Sequence, residues 1–359
     1  MKWGIIGLPQ VGKTTLFQIL TRTLPQESHR HGEAQHVGVV RIPDERLDRL
    51  AKLIAPQKIT YATAEFLDVA AIGKETLKET AYLANLRSVD GLVHVVRWFR
   101  NEAVPHAPGA LDPQRDITNV EVDLIVADLG VAENRLERLE KDRKKGKSVE
   151  IEHEQSLLER VRQWLDAGKP LREANWTEQE KKQLRGFSFL SEKPLLVALN
   201  VDDEHAGKLE DAVSTAGLAA FQNRPSSRVA AIAGKLEAEL ATLSDAEAAE
   251  FLSSFGLTEL GSTRILRASC ELLDLIVFFT LGDKDCRAWA IPRGSTALQA
   301  AGAIHSDIEK HFIRAEVAAG DRFLEAGGWA GVRAKGVLRL EGKEYVVQDG
   351  DVLNIRHSG

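Results

Sequence analysis

Apolar and polar positions follow three different patterns along this chain, and each pattern predicts a different architecture. Short, nearly continuous apolar runs occur at Trp3–Ile6, Val37–Ile42, Ala64–Val69, Gly91–Phe99, Pro194–Val201 and Arg228–Ile232. Helical stretches, such as Thr14–Leu20, lie between several of them. Buried runs alternating with helices predict an α/β domain with a largely parallel sheet. From about Asp123 to Arg185 the period changes. Leu129, Ala132, Leu136 and Leu139 fall at three-four spacing, Ile151, Leu158, Val161 and Leu165 repeat it, and Gly146 interrupts the middle. Two amphipathic helices folded back as a hairpin account for this. Strand patterns resume at Pro194, so the hairpin reads as an insertion into the α/β domain.

The last segment changes again. Val277–Thr280 and Cys286–Ile291 read as paired strands around the turn Gly282-Asp283-Lys284, and a helix is expected over Ala297–Glu309. Val337–Leu340 and Glu344–Val347 read as a second hairpin, before a closing strand at Val352–Arg356. The expected division is residues 1–122 and 191–274 for the α/β domain, 123–190 for the hairpin, and 275–359 for a small α+β domain.

Composition narrows the function classes. The chain has 359 residues, 28% of them charged, and a formal charge of −6. It therefore has no global basic field, and any nucleic-acid contact must come from a local patch. Two cysteines, Cys270 and Cys286, suit neither a disulfide framework nor a metal site and read as small buried hydrophobes. No apolar run reaches the roughly 20 residues of a membrane helix. The first apolar run is itself a sheet strand rather than a leader, so the cytoplasm is the expected compartment.

The chemistry begins in the first loop. Gly7-Leu8-Pro9-Gln10-Val11-Gly12-Lys13-Thr14 follows a strand and opens a helix. Glycines at both ends let the backbone wrap phosphates, and the N–H groups of Pro9–Thr15 (Pro9 itself excepted) lie around a positive helix start. Lys13 is placed to reach the outer phosphates and Thr14 to ligate Mg²⁺. Asp68, ending an apolar run, is the expected second metal-side group, acting through a water. Asn200-Val201-Asp202-Asp203 follows another strand as Asn-x-x-Asp. The usual guanine reader is Asn-Lys-x-Asp. Val201 replaces the lysine that covers the base, which weakens guanine specificity, although Asp203 retains the reading carboxylate. Ala233-Gly234-Lys235 is expected to supply backbone contacts to the base.

With these motifs the chain resembles the YchF/Obg-like ATPases, a family of translation-factor-class P-loop proteins. The similarity also runs through Val37-Gly38-Val39-Val40, Pro43-Asp44, Arg46-Leu47-Asp48, Leu83-Ala84-Asn85, Leu236–Leu240, Phe312–Val317 and Val347–Val352. The resemblance implies a P-loop NTPase domain with an inserted helical hairpin and a C-terminal β-grasp (TGS) domain. It also implies ATP preferred over GTP, and ribosome association.

The departures from the family pattern concern hydrolysis. Gln10 stands where the family has Asn, Gly32 where it has a switch threonine, and Ala71 where it has a switch glycine; the segment before Asn85 is a few residues shorter. Ile72 keeps the hydrophobic residue that replaces the water-orienting Gln of GTPases, and His106 matches the family's proposed catalytic histidine. These features predict a slow Mg²⁺-dependent ATPase. The alternatives are a hydrolysis-deficient nucleotide-binding module or a GTP binder reading guanine through Asp203. Lys141–Lys147, at the hairpin tip, is a candidate contact to ribosomal RNA, alongside the TGS domain.

Overall fold

The computed structural model describes residues 1–22, 36–73, 75–106, 108–145, 148–243, 247, 250, 252 and 259–358. Gly32, Gly146 and Lys147 lie outside them, as does the side chain of Lys145. The chain forms two compact units, one of Met1–Gly38 and Glu65–Leu272, the other of Val39–Ala64 and Leu273–Gly359. The chain passes between them within β2 (His36–Arg41) and again within β4 (Thr63–Asp68).

The first unit is built on a sheet whose order is β2-β4-β1-β5-β6-β7, with β1 at Lys2–Ile6, β5 at Gly91–Trp98, β6 at Leu195–Val201 and β7 at Ser227–Ile232. From β4 to β7 all neighbours are parallel. β5 and β6 are buried on both faces, which explains their mostly apolar runs, interrupted by the buried His94, Arg97 and Asn200. The order reverses between β1 and β5, which puts the loops after these strands at a crevice suited to a ligand. Helix α1 (Lys13–Thr21) leaves β1 directly.

The hairpin is helix α4 (Pro113–Lys145) against α5 (Val149–Asp166). The apolar positions expected from the heptad-like spacing form its core, with Ala132, Leu136, Leu139, Leu158, Val161 and Leu165 buried. Its first helix starts at Pro113, ten residues before the expected Asp123. The Asp112 side chain accepts the Arg115 N–H at 3.0 Å, a cap followed by Pro at the first helical position. The extra turns bury Ile117, Val120 and Leu124 in the core of the α/β sheet. One helix therefore belongs to both layers. Its base is fixed by charge. Glu121 binds both Arg172 and Arg224, and Arg224 also holds Glu173 at 2.7 Å.

The second unit has a mixed sheet of order β11-β10-β12-β8-β9-β3. Here β3 is Ile59–Thr60, β8 Leu275–Leu281, β9 Cys286–Pro292, β10 Phe312–Ala319, β11 Arg339–Glu341 and β12 Asp351–His357. The β8–β9 hairpin forms as expected. The expected second hairpin does not. β11 pairs with β10, and the segment 344–347 contributes only a bridge from Val346 to Thr296. The helix expected over Ala297–Glu309 is divided at His305, which ends one helix and caps the next. Residues 39–64, assigned by sequence to the nucleotide domain, cluster with this unit. β3 extends the sheet beside β9, and α2 (Glu45–Ile54) buries Leu47, Leu50 and Ala51 with Phe279, Ala288 and Val352. Arg46 joins Asp44 and Asp349, each at 2.7 Å, above the Phe279 ring. Trp289 and Phe312 pack in or against the domain core.

Among the described residues no helix is long and apolar enough to cross a membrane. Cys286 is buried and Cys270 half-buried, and burial pushes both thiols up, Cys270 to about 11. Cys286 sits in the C-terminal core as the small hydrophobe expected, whereas Cys270 is not fully buried.

Candidate functional site

The loop between β1 and α1 is shaped by backbone conformation. Gly12, at φ 99°, caps α1 in the left-handed region, and a Cβ there would lie 2.3 Å from Asn200 Nδ2. Gly7 faces the end of β5 so closely that a Cβ would lie 2.6 Å from the Val95 carbonyl oxygen. Gln10 also sits at φ 60°, a conformation that costs a side-chain-bearing residue energy. The loop wraps a concavity at a helix N-terminus, the arrangement that binds phosphate.

Gln10, Gly12, Lys13, Thr14 and Thr15 open on a cleft of about 990 Å³. Gly7, Pro9 and Val11 do not line it; Gly7 and Val11 are buried and Pro9 is exposed. Lys13 Nζ donates to the Leu8 carbonyl at 3.0 Å, and burial lowers its pKa against the opposing pull of Asp68. The Thr14 hydroxyl donates to Asp68 Oδ2 at 3.0 Å. The other oxygen of Asp68 is buried with no hydrogen-bond partner, and burial raises the carboxyl's pKa. An orphaned carboxylate oxygen beside a hydroxyl is an oxygen donor pair for a hard cation that shares its shell with phosphate oxygens, while the Lys13 ammonium suits the phosphates themselves. Among the described residues there is no cluster of three or more His, Cys, Asp or Glu, so a closed all-protein metal cage is absent.

Downstream of Asp68, the Ile72 N–H donates to the Gly7 carbonyl at 3.0 Å and the Ile72 side chain is buried in the core. The Ala71 carbonyl accepts from Thr76 Oγ1 at 3.2 Å. This strand end is thus tied to the phosphate loop twice, by the Thr14–Asp68 contact and by the Ile72 backbone, with an apolar residue where GTPases carry a water-orienting Gln.

The far wall combines residues expected from the sequence with others it did not name. Asn200, expected at the base, is buried with its amide committed at both ends. Nδ2 donates to the Val11 carbonyl at 3.0 Å, and Oδ1 accepts the Gly234 N–H at 3.1 Å. It positions the phosphate loop against the start of α8 (Gly234–Leu240), and the Gly234 N–H expected to contact the base is already used. Ala233 is buried behind the wall. Asn200 still lines the cleft, together with Val201, Asp203 and Lys235. The structure adds Phe99, Arg100 and Asn101 from the loop after β5, and Ala238, Glu239 and Thr242. The signal for Phe99 was its place at the C-terminal end of a central strand, where ligands of such sheets bind.

His106 is not brought to the cleft lining. It lies in a second cleft beside Arg97 and His205, 2.7 Å from Asp116 Oδ2, with both side chains almost fully buried. Arg115 holds the other oxygen of Asp116. Only Nε2 of His106 is engaged in this way; Nδ1 is buried without a hydrogen-bond partner.

This architecture has known counterparts. Residues 2–129 match a family described as 50S ribosome-binding GTPase, and residues 275–358 match one headed YchF-GTPase_C and described as a protein of unknown function. The ribosome-binding ATPase YchF of Pasteurella multocida is 37% identical over 99% of this chain and 98% of its own. The chain belongs to the YchF family. The ribosome-binding ATPase YchF of Bacillus subtilis is likewise 37% identical, over 98% of each chain. The structure of the Schizosaccharomyces pombe YchF GTPase superposes with a TM-score of 0.83 at 26% identity, covering 99% of this chain and 97% of that one. A P-loop domain, an inserted helical hairpin and a C-terminal TGS domain are therefore the fold of this family member too.

Proposed function

We propose that this protein binds ATP with Mg²⁺, hydrolyses it slowly, and acts as a switch on ribosomes in the cytoplasm. One observation carries the site: the Thr14 hydroxyl and Asp68 carboxylate meet at 3.0 Å at the phosphate loop, and the second Asp68 oxygen is buried without a partner. Thr14 and Asp68 would hold Mg²⁺, which supplies positive charge to the phosphates. Lys13, released from Leu8, is the cation for the outer phosphates. The α1 N-terminus supplies N–H donors around them. Phe99, Val201, Ala238 and the Lys235 stem form the walls available to a base. The ATPase and ribosome terms come from the names of the full-length relatives.

Slow turnover follows from what surrounds the phosphates. Phosphoryl transfer depends mostly on positioning and charge neutralisation. Here Ile72 is buried and His106 is paired with Asp116, so neither holds an attacking water in this conformation. The same observation supports the second reading, a nucleotide-binding factor with little hydrolysis. Titration with ATP and GTP in Mg²⁺, followed by phosphate release with and without ribosomes, separates the two. Release above a Lys13→Ala control, stimulated by ribosomes, is expected. Tight ATP binding with no release in either condition would leave only the second reading.

A further inference from the structure

Lys235, in the first turn of α8, and Asp203, just after β6, reach the nucleotide cleft from two different elements. Lys235 Nζ lies 3.0 Å from Asp203 Oδ2, while Asp203 Oδ1 is buried and has no hydrogen-bond partner. Guanine is read by a carboxylate that offers both oxygens to the adjacent N1 and N2 hydrogens. Asp203 offers neither freely. One oxygen is held by an ammonium group and the other is turned away from solvent. Adenine has no such pair of donors and loses nothing to this arrangement. The pair is also specific to these two positions, since Val201 leaves the Asn-x-x-Asp loop without its own lysine.

We propose that Lys235 is a specificity-determining residue, which holds the Asp203 carboxylate away from guanine and leaves the cleft to adenine. This rests on the nucleotide site proposed above. The Lys235 side chain is 73% exposed and supports no core, so its replacement tests recognition rather than folding. Glu239, one turn along α8, also lines the cleft and faces Lys235. Removing the lysine therefore leaves two carboxylates uncompensated and weakens all phosphate-bearing ligands. The informative quantity is the ratio of ATP to GTP affinities, in which that common loss cancels.

The full-length protein and its variants would be titrated calorimetrically with ATP and with GTP in Mg²⁺. The wild type is expected to favour ATP. Lys235→Ala and Lys235→Met, the latter keeping the apolar stem, should each shift the ratio toward GTP by about fivefold, the scale of an exposed ion pair. Adding Asp203→Ala should abolish the shift, and Asp203→Ala alone should leave the ratio unchanged. An unchanged ratio in both lysine variants, with ATP still bound, overturns the inference and leaves the nucleotide site standing. A wild type that already prefers GTP, and loses that preference in Asp203→Ala, also overturns it. Binding of neither nucleotide above the Lys13→Ala control removes the underlying site and the inference together.

Discussion

Gln10 shows how much a single backbone angle can weigh. At φ 60° it occupies a region that glycine enters freely and glutamine does not. Gln10→Gly should raise unfolding free energy by up to about 1 kcal/mol, as relieved strain exceeds the added entropy of the unfolded chain. Chemical denaturation measures it, and a loss of stability would show that the Gln10 side chain supports the loop. Asp128 makes a second residue-scale case. It is buried in α4 and accepts the N–H groups of Leu190 and Ser191 at 2.8 and 2.7 Å, and burial pushes its carboxyl up to about 6. A raised folded pKa means that the folded state binds the proton more tightly. The associated stability is complete below the ordinary carboxylate range and is lost as pH rises through about 6. Relative to Asp128→Asn, the wild type should lose up to about 3 kcal/mol between pH 4 and pH 7. Parallel pH dependences for the two proteins would refute this. The meeting of Thr14 and Asp68 was legible in sequence because each stands just after or at the end of its own apolar run, β1 and β4. The role of Asn200 was not, because a side-chain amide bridging two loops shows only once the loops meet.

At the level of elements, the hairpin was legible by its period but not by its origin. The three-four spacing of Leu136, Leu139, Leu158 and Val161 gave the pairing of α4 and α5. Ile117, Val120 and Leu124 continue the same spacing backwards, yet they face a different core, so period alone did not mark where the insertion leaves the sheet. That point is set by the Glu121, Arg172 and Arg224 cluster. The Arg172 side chain is 1% exposed and that of Glu121 8%. Glu121→Ala would leave two arginines without their shared carboxylate, and breaking a buried pair in this way costs about 3–5 kcal/mol. A thermal or denaturant midpoint within error of wild type would exclude that role. The second C-terminal hairpin failed as an expectation for a related reason. Val337–Leu340 has strand composition, but its partner is the long-range β10 rather than the adjacent segment. Strand propensity does not name a partner.

Across the whole molecule, charge is local rather than global. With a formal charge of −6, attraction to RNA has to come from patches. Lys141, Arg143 and Lys144 are exposed near the end of α4. If they touch phosphates, reversing Lys141 and Lys144 to Glu should weaken ribosome association and flatten its salt dependence by about two units of log–log slope. Sedimentation across a salt series gives that slope, and an unaltered slope would remove the hairpin from the contact.

The path of the chain through its two units has a practical outcome. Residues 39–64 lie between the strands that enter and leave the phosphate site, yet they carry β3 and α2 into the C-terminal core. No single cut separates the molecule into self-sufficient parts. A fragment ending at residue 272 would keep Leu47, Leu50 and Ala51 but lack the strands that cover them, and it should aggregate or lose α2. A chimera joining 39–64 through a flexible linker to 273–359 should instead fold alone, as a cooperative melt and dispersed amide spectrum would show. The C-terminal module is thus a two-piece object, and its missing piece is written inside the nucleotide domain.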